Sequence, residues 1–346
     1  MPTPKPIQIV GGGLAGLSLG IALRRQGIPA TIHEAGNYPR HRVCGEFISG
    51  RGQATLARLG LRELLDRAGA VSAHTTAFFS ATKTTEPRPL PSPAICLSRF
   101  ALDAALAKLF CELGGELHTG NRVALDNIAE GIVRAAGRRA AAGENGVGWF
   151  GLKIHAHKVA LTADLEMHVS PRGYVGLCRV EGGAVNVCGI FRKRVGESAA
   201  GNARELLRGL PGSPLRERLA TAEFVDDSFC AVAGISLRPQ RAAGREEICV
   251  GDAITMIPPV TGNGMSMAFE SAELAVAPLA AWSCGEISWS AARENIALAC
   301  DKQFSRRLRW AGWLQRLVLT PTLQNPLVAL AARSDRFRRM AFERTR

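Results

Sequence analysis

Apolar residues at 7, 9 and 10 with polar Gln8 predict a short strand, followed at once by Gly11-Gly12-Gly13-Leu14-Ala15-Gly16. A helix follows over 17–26, ended by Gly27, and a second strand over 30–33, closed by Glu34. Residues 52–69 predict a helix broken at Gly60, and 75–80 a strand. Residues 86–93 hold four prolines and predict a loop. Ser98 caps a predicted helix running to Leu113, with apolar residues at 102, 106, 109, 110 and 113. Short strands are expected over 121–126 and 132–135, and several more over 149–191. Two of these, 173–180 and 184–191, predict a hairpin turning at Gly182-Gly183, with Leu177 opposite Cys188 and Val180 opposite Val185. A helix over 199–220 is interrupted by Pro211-Gly212, a buried strand covers 247–250, and a helix runs from Gly264 to about Trp282. From Asp301 onward, Phe304, Leu308, Trp310 or Trp313, Leu314, Leu317 and Val318 recur at helical spacing. Pro321 stops that helix, and 327–340 predict another.

The first strand, glycine turn, helix and second strand form one unit with specific chemistry. Gly11 permits the tight turn, Gly13 lets a pyrophosphate approach the backbone, and Gly16 lets helix and strand pack closely. The helix N-terminus offers free N–H groups and partial positive charge to phosphates. Glu34 stands where a carboxylate accepts hydrogen bonds from both hydroxyls of an adenosine ribose and repels a 2′-phosphate. No second such turn follows a strand, and no internal repeat is visible.

Composition narrows the class. The 346 residues are 47% hydrophobic and 21% charged, which excludes a disordered chain, and no apolar run is long enough to span a bilayer. The N-terminus lacks an apolar signal core, so a cytoplasmic protein is expected. The nine cysteines are scattered without a paired metal spacing and read as reduced thiols; His33 and His41 read as local polar residues, and no metal is expected. Net charge is +13, and residues 301–346 carry eleven Lys and Arg against three acids. Interleaved with Trp310, Trp313, Leu314, Leu317 and Val318, this charge reads as amphipathic surface helices rather than a nucleic-acid coat. One expectation is that these helices cover the neighbouring domain; the other is peripheral contact with an anionic membrane. The oligomeric state is left open.

Three separated motifs resemble those of FAD-dependent oxidoreductases of the p-hydroxybenzoate hydroxylase and geranylgeranyl reductase superfamily. The first is the Val10–Gly16 turn with Glu34. The second is the segment from Pro39 through Cys44-Gly45-Glu46 to Phe47, similar to the Cys-Gly-Glu segment of the reductase branch. The third runs from Gly251-Asp252 through Pro258-Pro259 to Gly262-Asn263-Gly264-Met265 and Ala268. Ser98-Arg99 before Leu102-Asp103 also fits. The resemblance implies a glutathione-reductase-like α/β fold: a Rossmann-type FAD domain from 1–73, 96–148 and 245–300, with an inserted mixed or antiparallel sheet from 74–95 and 149–244 as substrate domain. Residues 301–346 would form C-terminal helices. It implies FAD held by Gly11, Gly13, Leu14, Ala15, Gly16, Glu34, Arg42, Arg99, Gly251, Asp252, Pro259, Gly262, Asn263, Gly264 and Met265. Asp252 would bind a ribityl hydroxyl, and the helix opening at Gly264 would face the pyrimidine edge of the flavin. Cys44, Glu46 and Tyr174 are the catalytic candidates: Cys44 as proton donor or redox thiol, Glu46 as general acid or loop cap, Tyr174 on the substrate side.

The chain departs from that pattern at Ala135-Ala136-Gly137-Arg138-Arg139-Ala140, where the usual acid and hydroxyl are missing, and after Tyr174, where the reductases' Trp and Pro are absent. The expected activity is redox chemistry on a lipophilic or aromatic small molecule with NAD(P)H as transient reductant. Reduction is favoured slightly over hydroxylation, and an FAD-binding accessory protein without turnover is the alternative of another class.

Overall fold

The computed structural model describes residues 3–124, 129–139, 147–194 and 203–345. In chain order the first elements are β1 (Ile7–Val10), α1 (Leu14–Arg25), β2 (Ala30–His33), β3 (Phe47–Ile48), α2 (Arg51–Arg58), α3 (Arg62–Arg67), β4 (Val71–Phe79), β5 (Arg88–Cys96), α4 (Arg99–Glu112), β6 (Glu116–His118) and β7 (Ile132–Arg134). They continue with β8 (Val147–His157), β9 (Leu165–Ser170), β10 (Gly173–Arg179), β11 (Val185–Arg194), α5 (Ala203–Arg208), α6 (Pro214–Arg218), β12 (Glu223–Val232) and β13 (Ile248–Cys249). The last are α7 (Gly264–Ser283), α8 (Trp289–Val318), α9 (Pro321–Arg333) and α10 (Asp335–Arg344).

Five strands form a parallel sheet in the order β13-β7-β1-β2-β6. Ile7, Ile9 and Ile32 are fully buried, as strands covered on both faces require. Helix α1 is buried along nearly its whole length, packed on α7 and α4. An eight-stranded sheet has the order β12-β8-β11-β10-β9-β4-β5-β3, antiparallel except for the β4–β9 pair. The mixed α/β fold therefore has a parallel-sheet dinucleotide-type unit, a second largely antiparallel sheet and C-terminal helices.

Four expectations need correction. The proline-rich segment is strand β5, not a loop. Pro91 and Pro93 lie where the β4–β5 ladder is interrupted, between the Ala73–Ala94 and Thr75–Pro89 pairs, and β3 covers the strand only at Ile95 and Cys96, so no ladder position there needs their missing N–H groups. Gln53 Nε2 meets the Pro93 carbonyl on the uncovered edge at 2.5 Å. The β10–β11 hairpin is shifted by one residue: Leu177 pairs with Val187, Gly176 with Cys188 and Arg179 with Val185. Its turn has three residues, Glu181–Gly183, with Gly182 and Gly183 at φ of 66° and 77°. Glu181 lies outside the ladder because its carboxylate receives Ser98 N–H at 2.9 Å. The shift puts Leu177 and Val187 on one face, both buried, as a side-chain period of two demands.

Residues 121–124 are irregular; the third strand of that region is β6, and 125–126 lie outside the described residues. At the C-terminus Pro321 begins α9 as well as ending α8, because proline's missing N–H costs nothing at a first helical position. A break at Ser334, whose hydroxyl accepts Phe337 N–H at 3.1 Å, divides the expected single helix in two. Of the expected helix over 199–220, residues 199–202 lie outside the described set, and α5 and α6 flank the Pro211-Gly212 break.

Candidate functional site

A cavity of about 1610 Å³ runs between the two sheets and under the C-terminal helices. One end is the glycine turn. A Cβ at Gly11 would lie 2.4 Å from the Ala135 backbone and one at Gly16 2.0 Å from the Gly11 carbonyl, so only glycine fits at either place. A Cβ at Gly13 would point into open space, with Arg99 at 3.8 Å its nearest neighbour. The first turn of α1 carries no side-chain cap, so the amides opening with Leu14 and Ala15 stay free for an anion. The third motif closes on the first: a Cβ at Gly251 would come within 2.8 Å of Ala15. Gly13 and Asp252, far apart in sequence, thus line one cavity.

Asp252 has no hydrogen-bond partner among the described residues. Burial pushes its carboxyl up to about 6, against the pull of Arg99 and Arg138. Asp103, fully buried at the base of α4, binds Arg99 through two contacts of 2.6 and 2.7 Å and Arg42 Nε at 3.1 Å. Arg42 also reaches Glu34 at 3.4 Å.

Glu34 accepts Gly12 N–H at 2.8 Å, Gly36 N–H at 2.9 Å and Arg40 at 2.5 Å as well. These donors outweigh burial and hold its carboxyl below the usual range. With Arg42 they occupy the carboxylate's four acceptor positions, so a ribose hydroxyl entering here must displace Arg40 or Arg42.

Pro259, Gly262, Gly264 and Met265 line the cavity, and α7 also starts without a side-chain cap. Gly262 is left-handed at φ 64°, and Phe47 fills the space a Cβ would need. Asn263 is different: its side chain is buried and its Nδ2 donates to the Thr345 carbonyl at the end of α10. That amide ties the C-terminus to the site rather than facing into it. Helices α9 and α10 supply Leu327, Val328, Ala331, Phe337, Ala341 and Phe342 to the cavity wall, a contribution the sequence did not reveal.

The catalytic candidates are placed unequally. Cys44 lines the cavity, and burial holds its thiol protonated, above its ordinary value, despite Arg99 nearby. Tyr174 also lines it, but its buried hydroxyl donates to Gln315 Oε1 at 3.2 Å, the atom that also accepts Val260 N–H. Glu46 is fully buried at φ 55° and accepts Arg99 N–H at 2.9 Å at the start of α4. Burial alone would raise its carboxyl, but His155 and Lys153 hold it lower than usual. The Arg99 contact is the one a cap makes, and the donors around the carboxylate favour its ionised form. Lys153 and His155 escaped the sequence reading. His41 is no isolated polar residue either: its Nδ1 lies 2.9 Å from Lys153 Nζ.

Comparison with known proteins agrees with this geometry. Residues 5–145 match the family model of the FAD binding domain. No curated protein sequence matches the chain. Among solved structures, a flavoprotein/dehydrogenase from Cytophaga hutchinsonii aligns with a TM-score of 0.77 at 14% identity, over 98% of this chain and 92% of that one. A geranylgeranyl bacteriochlorophyll reductase-like protein from Thermoplasma acidophilum aligns at 0.74 and 15% identity, over 99% and 96% of the two chains. PqsL of Pseudomonas aeruginosa, in complex with 2-aminobenzoylacetate, aligns at 0.71 and 16% identity, over 94% and 99%. At these identities the likeness is one of fold.

Proposed function

We propose that this FAD-dependent oxidoreductase, which falls within the superfamily of FAD-dependent hydroxylases and geranylgeranyl-reductase-like flavoproteins, carries electrons from NAD(P)H to a lipophilic or aromatic small molecule. The observation that carries this reading is the single cavity joining the glycine turn, Asp252 and the Gly262–Met265 loop to an apolar chamber. Bound FAD would supply the two-electron chemistry. The free amides of α1 and the open face of Gly13 would receive its pyrophosphate, with Arg99 alongside. Asp252 would accept from a ribityl hydroxyl. The amides opening α7 would stabilise negative charge on the flavin's pyrimidine edge.

Met167, Tyr174, Ile190, Ile235, Val260 and Leu314 line the far end, which suits an uncharged substrate and excludes water. Cys44 gives reduction its slight preference: its thiol lies at the cavity wall, where it would donate the proton that saturating a double bond requires, although burial makes it a weak acid. Hydroxylation is the second reading, since the same apolar lining of Met167, Tyr174 and Ile190 would also take an aromatic substrate. Anaerobic addition of NADH and NADPH tests the first step and should bleach the flavin; a flavin that stays oxidised with both contradicts it. An oxygen atom from labelled dioxygen in the product would reverse the order of the two readings.

The C-terminal helices carry a further proposal. Lys302, Arg306, Arg309, Trp313 and Arg316 lie along one exposed face of α8. Leu323 and Leu330 are exposed on α9, above the cavity wall. This face fits peripheral contact with an anionic bilayer from which a lipophilic substrate enters. No helix among the described residues is long and apolar enough to cross a membrane.

A further inference from the structure

Behind the cavity wall formed by 41–46 lies a charged cluster that the reading above does not use. Lys153, on β8, is fully buried. Its Nζ lies 3.3 Å from Glu46 Oε1 and 2.9 Å from His41 Nδ1. His155 Nε2, also on β8, lies 2.7 Å from Glu46 Oε2. With Arg99 N–H at 2.9 Å, both carboxylate oxygens of Glu46 are engaged as acceptors. An ionised Glu46 fixes Lys153 as an ammonium, because a buried anion needs a cation beside it.

An ammonium has three donors and no acceptor. Its contact with His41 can therefore be only Nζ–H···Nδ1, and Nδ1 carries no proton. A neutral imidazole that accepts at Nδ1 bears its hydrogen on Nε2. Burial, Lys153 and His155 together lower His41 to about 4, with Glu46 opposing, so the ring is neutral near physiological pH. His41 lines the cavity whereas Lys153 and His155 do not, and its Nε2 has no hydrogen-bond partner among the described residues. Phe100 stacks on the ring at 4.6 Å and fixes its plane.

We propose that His41 presents a neutral Nε2–H donor to a carbonyl or similar oxygen of the cavity's ligand, and that buried Lys153 is the positioning residue that sets this tautomer. The proposal rests on this cavity being the catalytic one. Long-range proton–nitrogen NMR on histidine-labelled, FAD-loaded protein tests it, with His41 assigned by its loss in His41→Phe. His41 should show the Nε2–H pattern and stay neutral from about pH 8 to about pH 5. Lys153→Met should mix the tautomers and raise the His41 pKa toward the ordinary value of about 6.5. A Nδ1–H pattern, or titration near that ordinary value in the unmutated protein, overturns the proposal even if Lys153→Met does not fold. Acetophenone, an aromatic ketone, serves as the oxygen-acceptor probe; equilibrium dialysis should show binding about tenfold weaker in His41→Phe, the worth of one hydrogen bond. Absent binding, or binding unchanged by the substitution, overturns the donor role. Flavin absorption of the same samples keeps the two readings apart: colourless protein fails the FAD assignment and leaves the tautomer to be read separately.

Discussion

Asp252 is the residue whose environment speaks most directly about the cofactor. Its carboxyl is raised to about 6, so the ligand-free protein gains stability as pH falls through about 6 toward the ordinary carboxylate range, and loses it on the way up. A ribityl hydroxyl donating to the carboxylate favours the ionised form. FAD affinity should therefore climb by up to tenfold per pH unit below about 6 and level off above it. Asp252→Ala should weaken binding by about 1–3 kcal/mol at high pH and remove the climb. Fluorescence titration of FAD across pH checks both; parallel curves for the two proteins would dissociate Asp252 from the cofactor. The glycines around this site were legible because each answers a local demand of the turn. Lys153 and His155 were not. In Lys153-Ile154-His155-Ala156 they alternate with apolar residues, the pattern of a solvent-facing strand edge, and only the fold brings the 41–46 segment over them.

At the level of elements, α7 and α8 are joined by a buried ion pair. Arg307 reaches Glu270 through two contacts of 2.7 and 2.9 Å, and Gln303 adds a third at 3.0 Å. Glu270→Ala strands a buried guanidinium and should cost about 3–5 kcal/mol, whereas Glu270→Leu with Arg307→Met should cost much less. Urea unfolding distinguishes the two; equal losses would mean that packing, not charge, holds the helices. Arg307 also shows where charge patterning misleads. In sequence it is one basic residue among several, yet the periodicity that exposes Arg306 and Arg309 turns Arg307 inward. Strand β5 misleads for the opposite reason: prolines suggest a loop until the sheet supplies a stretch where the ladder is interrupted and asks no N–H of them. The one-residue shift in the β10–β11 hairpin came from a tertiary partner, since Glu181 is drawn to Ser98 at the cap of α4, which no local turn rule could include.

Over the whole molecule, both FAD motifs and the Cys44-Gly45-Glu46 segment converge on one cavity, and the C-terminal helices roof it. Recognition of the motifs made the fold legible, and a cover over the neighbouring domain was one expectation for the C-terminal helices; that they wall the cavity itself was not legible, because an amphipathic pattern declares a buried face without naming the residues it meets. Their outer face is basic with exposed tryptophan. Flotation with anionic liposomes should therefore carry the protein upward at low salt and lose it near 1 M, where the Debye length falls from about 10 Å to about 3 Å. A protein that ignores anionic liposomes at low salt has a roof that serves the cavity alone.

The central claim is that one FAD spans the glycine turn and the Asp252 motif, and the visible absorption of the purified protein, after incubation with FAD and gel filtration, tests it most directly. The unmutated protein should retain both flavin bands at about one FAD per chain. Gly13→Val, whose side chain would fill the open face of the turn, should emerge colourless while keeping the same far-ultraviolet circular dichroism. An unmutated protein that retains no flavin, or a Gly13→Val protein as yellow as its parent, would contradict the assignment.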